Sequence, residues 1–302
     1  MAISASKRSS IMLIAVIYLI VFLATYFIFP FLSCSSVIIN LFIADVIATV
    51  MIFIFSMIFN NSSIYDPYWS VVPPIIAIYL MIGYTGANHL RQLVIITLVL
   101  CWSFRLTFNW QRGWQGLGHQ DWRYTSIEEK TGKWYWPVSF LGIHFMPTLF
   151  VFLGCLPLRY SLSSAHIFNV FDVVAALVTF LAILTEWVAD EQLYRFRKAG
   201  NRNVCIQSGL WQYSRHPNYL GEIGFWGGMF LFVLSAWGLK KWEIYWTLIG
   251  FTGMVILFTG ISIPMMEKRN MKRKPGYLKY AREVPALIPR FSLPRFFTKG
   301  FS

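Results

Sequence analysis

Charge is scarce in this 302-residue chain: Asp, Glu, Lys and Arg make up 13% of it, with 13 acidic residues against 26 basic ones. That is about half the share an ordinary soluble domain carries, so such a domain is excluded. Cysteine is also sparse, and Cys34, Cys101, Cys155 and Cys205 lack the spacing of a metal site or a disulfide framework. They read as free thiols, three of them in or beside apolar runs. Internal repeats, heptads, low-complexity tracts and long polar linkers are missing too, which excludes solenoids, coiled coils and strings of independent domains. A P-loop and a dinucleotide glycine fingerprint are likewise absent. His119-x-Asp121 offers two metal ligands without a third, and no metal site is expected.

What is abundant is apolar surface. Hydrophobic residues reach 57%, aromatics 18%, and the mean hydropathy is +0.55. A bilayer is the solvent that suits such a chain. Span-length runs fall near 11–32, 37–59, 69–84, 91–110, 136–156, 168–188, 217–237 and 243–266. The expectation is an all-α polytopic bundle of about eight transmembrane helices, the third short and interrupted by Pro73 and Pro74. Residues 1–10 are short and polar, and no small-residue cleavage pattern follows, so the first run is expected to be a retained span.

An even number of spans puts both termini on the cytoplasmic side. All of the 26 basic residues except Arg91, Arg159, Lys240 and Lys241 then fall on that side as well. The net charge of +13 is thereby explained by topology and anionic membrane lipid, with no nucleic acid partner. The host would be the endoplasmic reticulum membrane in a eukaryote or the inner membrane in a bacterium. Polar segments 111–135, 189–216 and the chain from 267 share the cytoplasmic side.

The densest chemistry lies in Gly209-Leu-Trp-Gln-Tyr-Ser-Arg-His-Pro-Asn-Tyr-Leu-Gly-Glu222. Pro217 suits a first helical turn, and Arg215 and His216 beside free backbone N–H groups make an anion-ready helix start. Asn218, Tyr219 and Glu222 follow one turn into the span, where an acid is a functional candidate by default. Upstream, Asp190 and Arg197 lie about two turns apart on one helix face, suited to a ribose hydroxyl and a phosphate, or to lipid headgroups. In the tail, Glu267 with Tyr277 and Tyr280 offers a second face to a polyanion. Asn109 and Arg112 close the fourth span, and Asp121-Trp-Arg123-Tyr124 follows. Asp66 begins the third span, where a carboxylate also suits the helix dipole. Asp45, in the middle of the second, fits an interhelical hydrogen bond.

At these residues the chain resembles the steroid 5-alpha-reductase superfamily, in particular its branch of uncharacterised multi-pass proteins built around the same C-terminal domain. The resemblance covers roughly residues 63–290. It implies an N-terminal anchor over 1–60 and a catalytic membrane domain over 61–302. It also implies reduction of the C=C bond of an α,β-unsaturated carbonyl lipid, steroid-like or another enone, with NADPH as cofactor. By the same resemblance Asn109, Arg112, Asp190, Arg197, Asn218 and Glu222 belong to the cofactor shell, and Arg269 and Arg273 of the tail align with it. Asp121, Arg123, Arg215, His216, Tyr219, Glu267 and Tyr280 are taken with them. Asp66 matches a family glutamate that polarises the substrate carbonyl, one methylene shorter here. The family's tyrosine partner aligns with Trp102, which has no phenol, leaving Tyr65, Tyr68 or Tyr124 for that role. The Arg-His-Pro-Asn-Tyr-x-Gly-Glu stretch also resembles isoprenylcysteine methyltransferases, so an S-adenosylmethionine enzyme is one rival. A non-catalytic lipid-binding protein on the same scaffold is the other. Beyond a lipophilic small molecule and membrane lipid, no partner is implied.

Overall fold

The computed structural model describes residues 6–201 and 203–289, and every regular element among them is helical. Arg202, Arg290, Arg295 and Lys299, part of the basic count above, lie outside the described residues. Seven helical stretches are long and apolar enough to cross a membrane: Lys7–Phe31, Val37–Ile58, His89–Gly113, Trp122–Ser163, Val170–Lys198, Pro217–Trp237 and Trp242–Arg273. The chain is accordingly a multi-pass helical membrane protein.

The helices are α1 (Lys7–Ile28), α2 (Val37–Ile58), α3 (Tyr68–Gly83), α4 (His89–Gly113), α5 (Trp122–Thr131), α6 (Tyr135–Ser139), α7 (Met146–Ser163) and α8 (Val170–Lys198). They continue as α9 (Pro217–Trp237), α10 (Leu248–Ile256), α11 (Ile263–Arg273) and α12 (Tyr277–Glu283). The run expected to form the third span is α3, whose 16 residues rise about 24 Å. That falls short of the ~30 Å hydrocarbon core, so among the described residues α3 stands beside seven long helices rather than adding an eighth. By contrast α8, with 29 residues, rises about 44 Å, enough to carry its polar C-terminal turns past an apolar core.

Two long stretches change pitch where a proline forces them to. A π-helical turn over Phe140–Phe145 leads into α7, which has Pro147 in its first turn, and another over Leu257–Ser262 leads into α11, which has Pro264 there. Proline has no N–H for the carbonyl four residues back, which lies inside the π turn in both cases. The hydrogen-bond ladder widens instead of breaking.

The chain divides into two compact units. The first comprises residues up to Leu177 together with Trp226–Met254, and the second Val178–Phe225 together with the chain from Val255. In the first, α1 packs on α2, α2 on α7, and α3 lies against both α4 and α7. Arg91 and Asp172, both fully buried there, form a two-point pair with Nε–Oδ1 at 2.7 Å and Nη2–Oδ2 at 2.8 Å. Arg91 Nη1 also donates to the His166 carbonyl at 2.9 Å, so the buried charge is fully engaged. In the second unit, Ala189, Ile206 and Trp211 form one buried cluster, and Cys205, Tyr277 and Tyr280 another. Gly221 of α9 packs so near α8 that a Cβ would stand 2.7 Å from the Ala182 carbonyl oxygen, which only glycine permits.

Candidate functional site

In the first unit, segment 61–67 enters α3 through a short turn and places Asp66 with one edge exposed. Tyr124 of α5 donates its hydroxyl to Asp66 Oδ1 at 2.5 Å. Of the three tyrosines the sequence left open, Tyr124 is the one whose hydroxyl is hydrogen-bonded to Asp66. Tyr68 turns instead toward α2, donating to Asp45 Oδ1 at 2.6 Å, and the Tyr65 hydroxyl pairs with Thr148 Oγ1 at 2.8 Å. The reason is the helical turn itself: Tyr65 and Tyr68, three residues apart, share one face, while Asp66 between them faces elsewhere. Trp102 is fully buried with its indole edge-on to Trp69 and Trp226, a packing role.

Burial raises the Asp66 carboxyl from its ordinary value to about 6, against the opposing pull of the Arg123 guanidinium and the Tyr124 hydrogen bond. Arg123 lies over the Tyr124 ring, 5.3 Å from its centroid, and pairs through Nε with Asp121 Oδ1 at 2.8 Å. Asp121 also caps α5 by accepting from the Arg123 N–H at 2.9 Å. An acid half protonated near pH 6, hydrogen-bonded to a phenol, can in its protonated form stabilise negative charge developing on a carbonyl oxygen. Elsewhere in this unit Arg112 Nε donates to Asn109 Oδ1 at 3.1 Å.

The second unit holds a cavity of about 70 Å³, the size of a phosphate group rather than of a whole nucleotide. Seven residues singled out from the sequence line it: Arg197, Arg215, His216, Asn218, Tyr219, Tyr277 and Tyr280. Asp190, Glu222, Glu267, Arg269 and Arg273 do not. Asp190 and Glu222 are buried on α8 and α9, and Arg273 is exposed at the end of α11. Glu267 is engaged by Arg215, Nη2–Oε1 at 2.5 Å, and lies 3.4 Å from His216 Nε2.

Two polar lining residues were missed as site residues, Asn270 and Lys274. Asn270 lies one turn after Met266 on α11, and Lys274 follows directly after the end of that helix. Burial, with Arg197 and Arg269 nearby, holds the Lys274 ammonium below its usual value, while the Cys205 thiol works the other way. The Tyr277 hydroxyl, beside Asn270, makes no formed hydrogen bond, and Asn218 Oδ1 has no partner among the described residues. Burial lowers His216 to about 4 despite Glu267, so its imidazole is neutral at pH 7.

The loop that carries this cavity is fixed by the tail. Arg215 N–H donates to the Pro285 carbonyl at 2.9 Å, His216 N–H to that of Ala286 at 3.1 Å, and Arg215 Nη1 to that of Ala281 at 2.7 Å. The Tyr280 hydroxyl donates to the Trp211 carbonyl, and Trp211 Nε1 to that of Ala189 at 3.1 Å. The His216 ring stacks on Tyr219 with centroids 5.3 Å apart.

The fold and these two features define a class: multi-pass helical membrane proteins with a carboxyl–phenol pair in one unit and a cation-lined cavity in the other. The chain belongs to the family described as a protein of unknown function, DUF1295, which it matches over residues 52–284. It is similar to the uncharacterised protein C594.04c of Schizosaccharomyces pombe, with 26% identity over 257 residues, covering 76% of this chain and 73% of that relative. No solved structure matches it.

Proposed function

We propose that the protein is a membrane reductase that uses NADPH to saturate the C=C bond of an α,β-unsaturated carbonyl lipid. The observation that carries the reading is the second unit's cavity, where Lys274 and Arg197 stand near each other and buried polar groups lack partners. Crowded cations gain from an anion placed among them, and a phosphate oxygen completes the Tyr277 hydroxyl's hydrogen bonding. Arg197, Lys274, Asn218 and Tyr277 would hold a phosphate of the nucleotide, and the stacked pair His216 and Tyr219 offers an aromatic face. NADPH, when bound, would supply a hydride to the β-carbon of the enone, with the α-carbon taking its proton from water.

The protein's own chemistry rests on Asp66 and Tyr124. Negative charge builds on the substrate carbonyl oxygen as the β-carbon is reduced. Asp66 in its protonated form hydrogen-bonds that oxygen, and Tyr124 holds the carboxyl in place. The sequence resemblance of Asp66 to the glutamate of steroid 5-alpha-reductases supports this assignment. Apolar helix faces give a lipophilic substrate its route to the site.

The test is turnover by detergent-purified protein over a panel of enone steroids and long-chain enones, with product mass read by spectrometry. The expected product is the saturated ketone, two hydrogens heavier, formed with NADPH. A methylated product with S-adenosylmethionine, or no product with any member of the panel, would sink the reading.

A further inference from the structure

Segment 61–68, which carries Asp66, is tied on both flanks. On one flank Asn61 Nδ2 donates to the carbonyls of Leu117 at 2.8 Å and His119 at 3.2 Å, and the Asp121 N–H donates to Ser63 Oγ at 2.9 Å. On the other, the Tyr18 hydroxyl of α1 donates to the Ile64 carbonyl at 2.8 Å, and Tyr68 donates to Asp45 of α2. The Tyr65 hydroxyl meets Thr148 Oγ1, itself 2.9 Å from Thr49 Oγ1 of α2. Tyr18, Asp45, Thr49, Tyr65, Tyr68 and Thr148 are all buried.

Three of these residues, Tyr18, Asp45 and Thr49, lie upstream of residue 52, where the family match begins, and Tyr18 and Asp45 bond the segment directly. A carboxyl in the middle of an apolar helix is costly, and helix packing alone does not call for one. Asp45 spends its hydrogen bond on the tyrosine two residues past Asp66, and Tyr18 spends its own on the carbonyl two residues before it. The Tyr18 bond falls on the backbone that aims the acid, and the Asp45 bond holds a side chain that the same backbone carries.

We propose that Asp45 and Tyr18 are positioning residues for Asp66, making the two N-terminal helices part of the working apparatus and more than an anchor. The inference rests on the reading of Asp66 as the reaction's acid. Hydrogen bonds on either side of a residue fix its backbone direction, and a displacement of about an ångström is enough to cost roughly a hundredfold in rate. Losing either anchor lets the segment shift and admits water to the carboxyl. The ionisable groups around Asp66 are Arg123, Asp121 and Tyr124 from the α5 end, Tyr18 from α1, and Tyr65 of its own segment.

The experiment labels the full-length protein in detergent with dicyclohexylcarbodiimide, which attacks protonated carboxyls, and follows Asp66 by peptide mass spectrometry against pH. Unmodified protein should give a midpoint near about 6. Asp45→Leu and Tyr18→Phe should move the midpoint toward the ordinary carboxylate value, about 4, because burial is the largest influence raising it. Asp45→Asn keeps an acceptor for Tyr68 and should keep the midpoint. With an enone substrate, the first two variants should lower kcat at unchanged KM. Tyr18→Phe removes a single hydroxyl, so a folded variant remains if Asp45→Leu fails to fold. A folded Asp45→Leu or Tyr18→Phe protein with the unmodified midpoint would overturn the proposal. So would Asp45→Asn shifting as far as Asp45→Leu, since charge alone would then explain both. Labelling needs no substrate, so a protein that reduces no enone would sink the function reading and leave this result to stand separately.

Discussion

Asp66→Ala lowers the turnover of an enone by roughly 10²- to 10⁴-fold, the range a positioned general acid contributes, while the affinity for NADPH stays unchanged. Asp66 is not among the residues that line the cavity, so the two effects are expected to separate. Asp66→Asn separates hydrogen bonding from acidity, because the amide still donates but has no proton to give. Tyr124→Phe removes the hydroxyl that holds Oδ1 and should cost about tenfold, with the acid still present. The pH profile carries the sign. Asp66 acts in its protonated form and has a pKa of about 6, so the rate is level below that value and falls about tenfold per unit above it. Steady-state kinetics from acid to alkaline pH check this. A rate that rises through pH 6 would assign Asp66 to a base, and one indifferent to pH would remove it from the chemistry.

Lys274→Ala weakens nucleotide binding by roughly tenfold to a hundredfold, as loss of a charge-assisted hydrogen bond of about 1.5–3 kcal/mol requires. The ammonium faces the cavity beside other cations, and an anion relieves that crowding. Arg273→Ala, on an exposed residue outside the cavity, is the control and should leave affinity where it was. Equilibrium binding of the nucleotide by nicotinamide fluorescence reads both variants. Equal effects from the two would point to a diffuse basic surface in place of a cavity.

The long helices were legible because span-length apolar runs leave little else for the chain to do, and the third run was legible as short; the interruption expected at Pro73 and Pro74 is not there, since α3 continues through both. The π turns before Pro147 and Pro264 were not, since a proline near a helix start usually marks a beginning and not a widening of pitch. In the acid site the carboxyl could be read from its motif, but its phenol could not. Tyr65 and Tyr68 are its neighbours in sequence, whereas Tyr124, 58 residues away, is its neighbour in space. Lys274 hid inside a run of basic residues that topology alone explains, directly after the end of α11. His144 gave no signal from within an apolar run, yet it is fully buried, with Nδ1 3.0 Å from the Ser139 carbonyl and Nε2 3.1 Å from Ser56 Oγ.

The most direct test of the account is thermal stability of the purified protein with NADPH, NADH, S-adenosylmethionine or inorganic phosphate added singly. A ligand at a hundred times its Kd stabilises by about 2.7 kcal/mol, which raises Tm by roughly 5 °C. The account predicts that rise with NADPH, a smaller one with phosphate, and its reduction by about half or more in Lys274→Ala. Stabilisation by S-adenosylmethionine alone, or by none of the four, would contradict it.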